Sequence, residues 1–144
     1  MNLPTVDEIN PFSKCLDGQC AVEHFYDKSL EDAEALFCDN SLYYGGDLLW
    51  MGPIAFVFYF KAALSYLKSE ASRDDSDFVN SSIGILELRV LDQYSDFPAI
   101  RAGINDYISF CQHVSDNYEK YELIEDIYGD MRPRLKKLLN QLKS

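Results

Sequence analysis

The strongest constraint on the fold is a run of 13 uncharged residues, Leu48 to Phe60, interrupted only by Gly52-Pro53. A bilayer-spanning helix takes about 20 apolar residues, so this run belongs in a protein core. Gly52 ends the first part, and Pro53 stands where proline is best tolerated, at the first position of a helix. The helix predicted from Pro53 to about Ser69 carries Ile54, Phe56, Val57, Phe58, Phe60, Leu64 and Leu67, with Tyr59 and Tyr66 between them. Residue type alone also allows IAFVFYF to be a strand. The continuation KAALSYLK has high helix propensity, however, and no turn signal separates the two parts. A helix that is apolar nearly all round has to be enclosed by other elements.

The flanking segments supply those elements. Pro4 and Pro11 make residues 1–16 an irregular arm, with Phe12 available to pin it to the core. Asp17 caps a short helix from Gly18 to about Tyr26, and Ser29 caps the next, whose inner stripe is Leu30, Ala33, Leu36 and Phe37. Asn40-Ser41 and Gly45-Gly46 bracket Tyr43-Tyr44, which reads as a loop presenting two rings. Asp75 or Ser76 opens a helix to about Tyr94 with Val79, Ile83, Leu86 and Val90 on one face, and Ser95-Asp96-Phe97-Pro98 opens another through Val114. Tyr121 to Tyr128 is a further turn or short helix ended by Gly129, and Asp130 starts a last helix with Leu135, Leu138, Leu139 and Leu142 inward. Alternating strand patterns are absent. The expectation is an all-α fold, a single domain over 1–144 with about five to seven helices around the 53–69 helix.

Charge narrows the partners. The chain carries 24 acidic and 13 basic residues, a net charge of -11. Residues 130–144 hold five basic residues against Asp130 alone, a balance of +4, so the first 129 carry -15. Such a body repels phosphate backbones and anionic membrane surfaces, which argues against direct nucleic-acid or membrane binding and favours a basic partner. The first residues, with Asp7 and Glu8, lack the basic start and apolar middle of a secretion signal, and Cys15, Cys20, Cys38 and Cys111 lack the density of a secreted disulfide scaffold. A cytoplasmic protein with reduced thiols is expected.

Chemistry-bearing groups are few. Cys15, Cys20, His24 and Cys38 have the residue types of a zinc site, but the first pair is spaced too loosely for a knuckle, and no metal or cofactor is expected. A His-based mechanism would have to use His24 or His113, and His113 has Asp116 three residues on as a possible orienting carboxylate, but no nucleophile elbow lies nearby, so no catalytic residue is assigned. Trp50 and Met51 at the Gly-Pro break, with Phe56 and Tyr59, are the candidate lining of a small-ligand pocket. Two zones interleave carboxylates with tyrosines. One is Tyr118, Glu119, Tyr121, Glu122, Glu125 and Asp126; the other is Asp39, Tyr43, Tyr44 and Asp47. Tyrosines supply rigid contact area, and carboxylates steer a basic partner into register.

In size, acidity, helical pattern and these Tyr-and-carboxylate zones, the whole chain resembles the small bacterial immunity proteins that neutralise toxins from neighbouring cells. The resemblance implies a cytoplasmic, non-enzymatic inhibitor that covers the basic active-site surface of a cognate toxin, commonly a nuclease. The alternatives are a small-ligand-binding helical domain with its pocket near Trp50, and an interaction module for another partner.

Overall fold

The computed structural model describes residues 2–91, 97–121 and 125–144, with backbone alone at 91, 97, 125 and 126. The α-helices are α1 (Val6–Ile9), α2 (Leu16–Phe25), α3 (Leu30–Gly45), α4 (Pro53–Lys68), α5 (Ser76–Leu86), α6 (Phe97–Ile100), α7 (Ile104–Asp116), α8 (Glu125–Tyr128) and α9 (Arg132–Lys143). Tight 3-10 turns at Gly46–Trp50, Glu70–Ser72, Arg101–Gly103 and Tyr118–Tyr121 join several of them, and a π-helical turn, Glu87–Leu91, follows α5. No strand occurs among the described residues, and the compact all-α architecture agrees with the sequence expectation. The expected helix end near Tyr94 and the Ser95-Asp96 start lie outside the described residues.

α4 is the central element, packed against α3, α1, α6 and α7. Its Ala55, Phe56, Tyr59, Phe60, Ala62, Ala63, Leu64, Tyr66 and Leu67 are all buried. Fully burying one of its large apolar side chains contributes about 1.5–3 kcal/mol, and the alanines let neighbouring helices approach closely. One narrow stripe stays wet: Ile54, Lys61, Ser65 and Lys68 are exposed, at the spacing of a single helix face. Lys61 uses that stripe to reach Asp106 of α7, 2.6 Å away.

The N-terminal segment is more ordered than an irregular arm. Thr5 and Glu8 form a reciprocal capping box, which satisfies the first free amides of α1. Ile9, fully buried, pins the segment together with buried Pro4 and Asn10, whereas Phe12 is 78% exposed. Gly52 N–H donates to the Ile9 carbonyl at 3.1 Å. A Cβ at Gly52 would sit 2.4 Å from the Glu8 carbonyl oxygen, so only glycine allows this crossing.

The turn before α4 is held from the other side. The π-helical turn delivers Arg89, a residue only 7% exposed. Its Nη1 donates to the carbonyls of Leu48, at 3.2 Å, Leu49, at 3.1 Å, and Met51, and its guanidinium lies 4.9 Å over the Phe56 ring. Carbonyls at the end of a helical turn have no partner within the turn, and a buried cation supplies one. Gly46–Trp50 is thereby fixed in place, and Asp47 with it.

Candidate functional site

The two Tyr-and-carboxylate zones have different fates. In the N-terminal zone, α3 starts at Ser29 with a capping box to Asp32 and leaves helical geometry at Asn40 (φ -155°, ψ 85°). Asn40 Oδ1 then accepts from the Tyr43 N–H at 3.2 Å and restarts the helix. Tyr43 and Tyr44 therefore belong to the last turn of a kinked helix, which corrects the loop expected there. Asn40-Ser41 is a helix-start signal as much as a loop signal, and the packing of α3 on α4 selects the former.

The restart aims both rings at His24, in the last turn of α2. The ring centroids of His24, Tyr43 and Tyr44 are all within 5.1 Å of one another. His24 Nδ1 is 2.6 Å from Asp47 Oδ2, and His24 Nε2 is 3.3 Å from the Tyr43 hydroxyl. Asp47 is only 8% exposed. Burial raises its carboxyl above the ordinary range, against the opposing hydrogen bond and charge of His24, while Asp17 adds repulsion. Asp47 is thus an internal partner of His24, and the expectation that it lies on the contact surface is corrected. Tyr43, 58% exposed, and Asp39, also exposed, stay on that surface, with Tyr44 half-buried behind them. Leu42, Trp50 and Ile54, from the same 39–54 stretch, are exposed as well.

The C-terminal zone is largely consumed by the fold. Tyr121 is fully buried, which corrects its assignment to a surface, and its hydroxyl donates to the Leu67 carbonyl at 2.7 Å. Tyr118 is half-buried; its oxygen accepts from the Met131 N–H at 2.9 Å, and its ring lies 5.1 Å under the Arg132 guanidinium. Glu119 is exposed, on the rim of an open groove of about 590 Å³ that Arg73, Asp116, Asn117 and Lys120 also line. Glu122 and the side chains of Glu125 and Asp126 lie outside the described residues.

Other expected arrangements also resolve. His113 is not oriented by Asp116: its Nε2 is 3.1 Å from the Leu67 carbonyl and 2.8 Å from the Tyr121 hydroxyl, and Nδ1 is 3.4 Å from Asn117 Nδ2. Around Trp50 the expected pocket lining is split. Met51, Phe56 and Tyr59 are buried in the core, Tyr59 donates to the Phe25 and Lys28 carbonyls, and Trp50 is half exposed. Cys15 is partly and Cys20 and Cys38 are fully at the surface, and no group of three metal-ligating side chains converges among the described residues. No helix there is long and apolar enough to cross a membrane.

Sequence reasoning missed two contributors to the site. In sequence, His24 reads only as a zinc ligand or a general base, and Arg89 carries no signal. Nothing in local sequence marks either, because their partners are 23 residues away, at Asp47, and about 40 residues away, in the same turn. Comparison with protein-family models, with curated proteins and with solved structures yields no match.

Proposed function

We propose that this protein is a non-enzymatic binding domain that holds a basic protein partner against the surface carrying Asp39, Leu42 and Tyr43, extended by Trp50 and Ile54. One observation carries the reading: Tyr43 is 58% exposed, yet its ring and hydroxyl are fixed by Tyr44 and His24. An exposed aromatic that is already ordered loses little entropy on contact and suits the centre of an interface. The exposed apolar neighbours add area toward the roughly 800 Å² per partner that a stable complex buries. The net charge of -15 over the first 129 residues favours a basic partner and speeds its approach. The other zone is the weaker candidate, since Tyr121 and Tyr118 serve the protein's own packing.

With the resemblance to immunity proteins, this reading makes the partner a toxin domain whose basic active-site surface is covered in the cytoplasm. The test is co-expression with the product of an adjacent toxin-like gene. The expected results are survival of the cells, a stable purified complex, and loss of about tenfold or more in affinity for Tyr43→Ala or Asp39→Lys, each worth 1.4 kcal/mol or more. Circular dichroism should show both variants folded. Absence of both complex and protection, or full affinity in both variants, would overturn the proposal.

A further inference from the structure

We infer that the Tyr43 oxygen is an acceptor for an ammonium or guanidinium group of the partner, and that protonation of His24 reverses this polarity. The nature of the bound group rests on the binding reading above, whereas the switch rests on the geometry of three side chains. Asp47 Oδ2, 2.6 Å from His24 Nδ1 and nearly buried, can only accept when ionised, so the imidazole proton sits on Nδ1. Nε2 of the neutral ring is then an acceptor, and the hydroxyl facing it at 3.3 Å is that of Tyr43. With its proton turned inward, the phenol presents lone pairs to the exterior. An N–H of lysine or arginine fits those lone pairs, and the exposed ring face attracts the same cation.

Uptake of one proton from solvent by His24 Nε2 changes each part of this arrangement. Nε2–H must now donate, so the Tyr43 oxygen accepts from inside and its own O–H turns outward. A cation's N–H then meets a donor where it had an acceptor, and a positive imidazolium stands behind it. Both changes oppose a basic partner and neither needs the backbone to move. The ionisable groups around His24 on the packed elements are Asp47 in the 3-10 turn and the phenols of Tyr43 and Tyr44 on α3. α1, packed on α2, carries Asp7 and Glu8, with Glu8 tied into its capping box, and α2 itself carries Asp17 and Glu23. Carboxylates and phenols are neutral when protonated, so among these groups it is His24 whose uptake of a proton creates a positive charge.

The test has one arm without a partner and one with a defined probe. Imidazole nitrogen resonances followed from about pH 8 to about pH 5 should show the neutral His24 ring protonated at Nδ1, and Tyr43→Phe should move the Nε2 resonance. A deca-arginine peptide, its binding read at the Tyr43 ring resonances, should bind about tenfold more weakly at the acid end. The pH effect should shrink below about threefold in Tyr43→Phe and His24→Gln. A neutral ring protonated at Nε2 would overturn the switch whatever the peptide does. The Nδ1 form with pH-independent binding would also overturn it while leaving the binding reading intact. The Nδ1 form with no response of Tyr43 to the peptide at either pH would overturn the acceptor role and the binding reading together.

Discussion

Each of the two histidines shares a hydrogen bond with a tyrosine hydroxyl, and the two pairs face opposite ways. His113 and Tyr121, 2.8 Å apart, both converge on the backbone carbonyl of Leu67, in the last turn of α4. Ser72 Oγ, at 2.9 Å, and Lys120 Nζ, at 2.9 Å, converge on it as well. The last carbonyls of a helix lack partners within the helix, and this zone is an assembly of donors that supplies them. His24 and Tyr43, 3.3 Å apart, are instead anchored on a carboxylate, and the tyrosine ends at the surface. Identical residue types therefore serve the fold in one region and remain available to a partner in the other. The third group, carbonyl or carboxylate, and the direction of the hydroxyl decide which.

The largest expected effect separates the two tyrosines. Tyr121→Ala removes a fully buried ring and strips a donor from the Leu67 carbonyl, so urea unfolding should show a loss of about 3–5 kcal/mol. Tyr43→Ala should change stability by no more than about 0.5 kcal/mol, because most of its side chain is already in water. Similar losses in both variants would break the contrast.

A smaller effect distinguishes the charged partners. Lys120 Nζ donates to the Leu67 and Ser69 carbonyls and lies 5.1 Å over the Tyr121 ring. Lys120→Met keeps the stem and removes the donors, and at a part-exposed site the loss should be about 1–2 kcal/mol. Asp47→Asn retains an acceptor for His24 while deleting a charge that burial disfavours, so its cost should stay within about 1 kcal/mol. Calorimetric melting of both variants ranks them; a larger loss for Asp47→Asn would make its zone as structural as the other.

The sequence was informative where the physics is local. Pro53 after Gly52, the Ser29 cap and the uncharged run to Phe60 predict α3 and α4 with their starts in place, because caps, proline and periodicity act within a few residues. Residues 118–121 show where that reach ends. A tyrosine among carboxylates looks the same in sequence whether it meets solvent or a helix end, and Tyr121 is buried by a carbonyl 54 residues earlier. Asp47 is illegible for the same reason, since its environment is made by His24 of another helix. The short α1 turn was hidden by Pro4 and Pro11, which bracket the Thr5–Glu8 capping box without entering it.

The smallest expected effect is a difference of sign in the response to pH. Burial holds His113 below the ordinary imidazole value of 6.5, outweighing the Leu67 hydrogen bond, and Lys120 and Lys68 repel its charged form further. The unfolded chain therefore binds this proton more readily than the folded one. The stability it contributes is complete above about 6.5 and is lost as pH falls through the lower folded value. Asp47 works in the reverse direction. Its folded carboxyl lies above the ordinary 3.8, so its contribution is complete below 3.8 and is lost as pH rises through the raised value. Urea unfolding from about pH 8 to about pH 3 should accordingly show His113→Gln removing a loss of stability as pH falls below about 6.5, and Asp47→Asn removing a loss of the opposite sign as pH rises above about 3.8. The His113 term is modest because the ring is part-exposed and screened. An unchanged slope in His113→Gln would mean that burial does not hold this imidazole below its ordinary value.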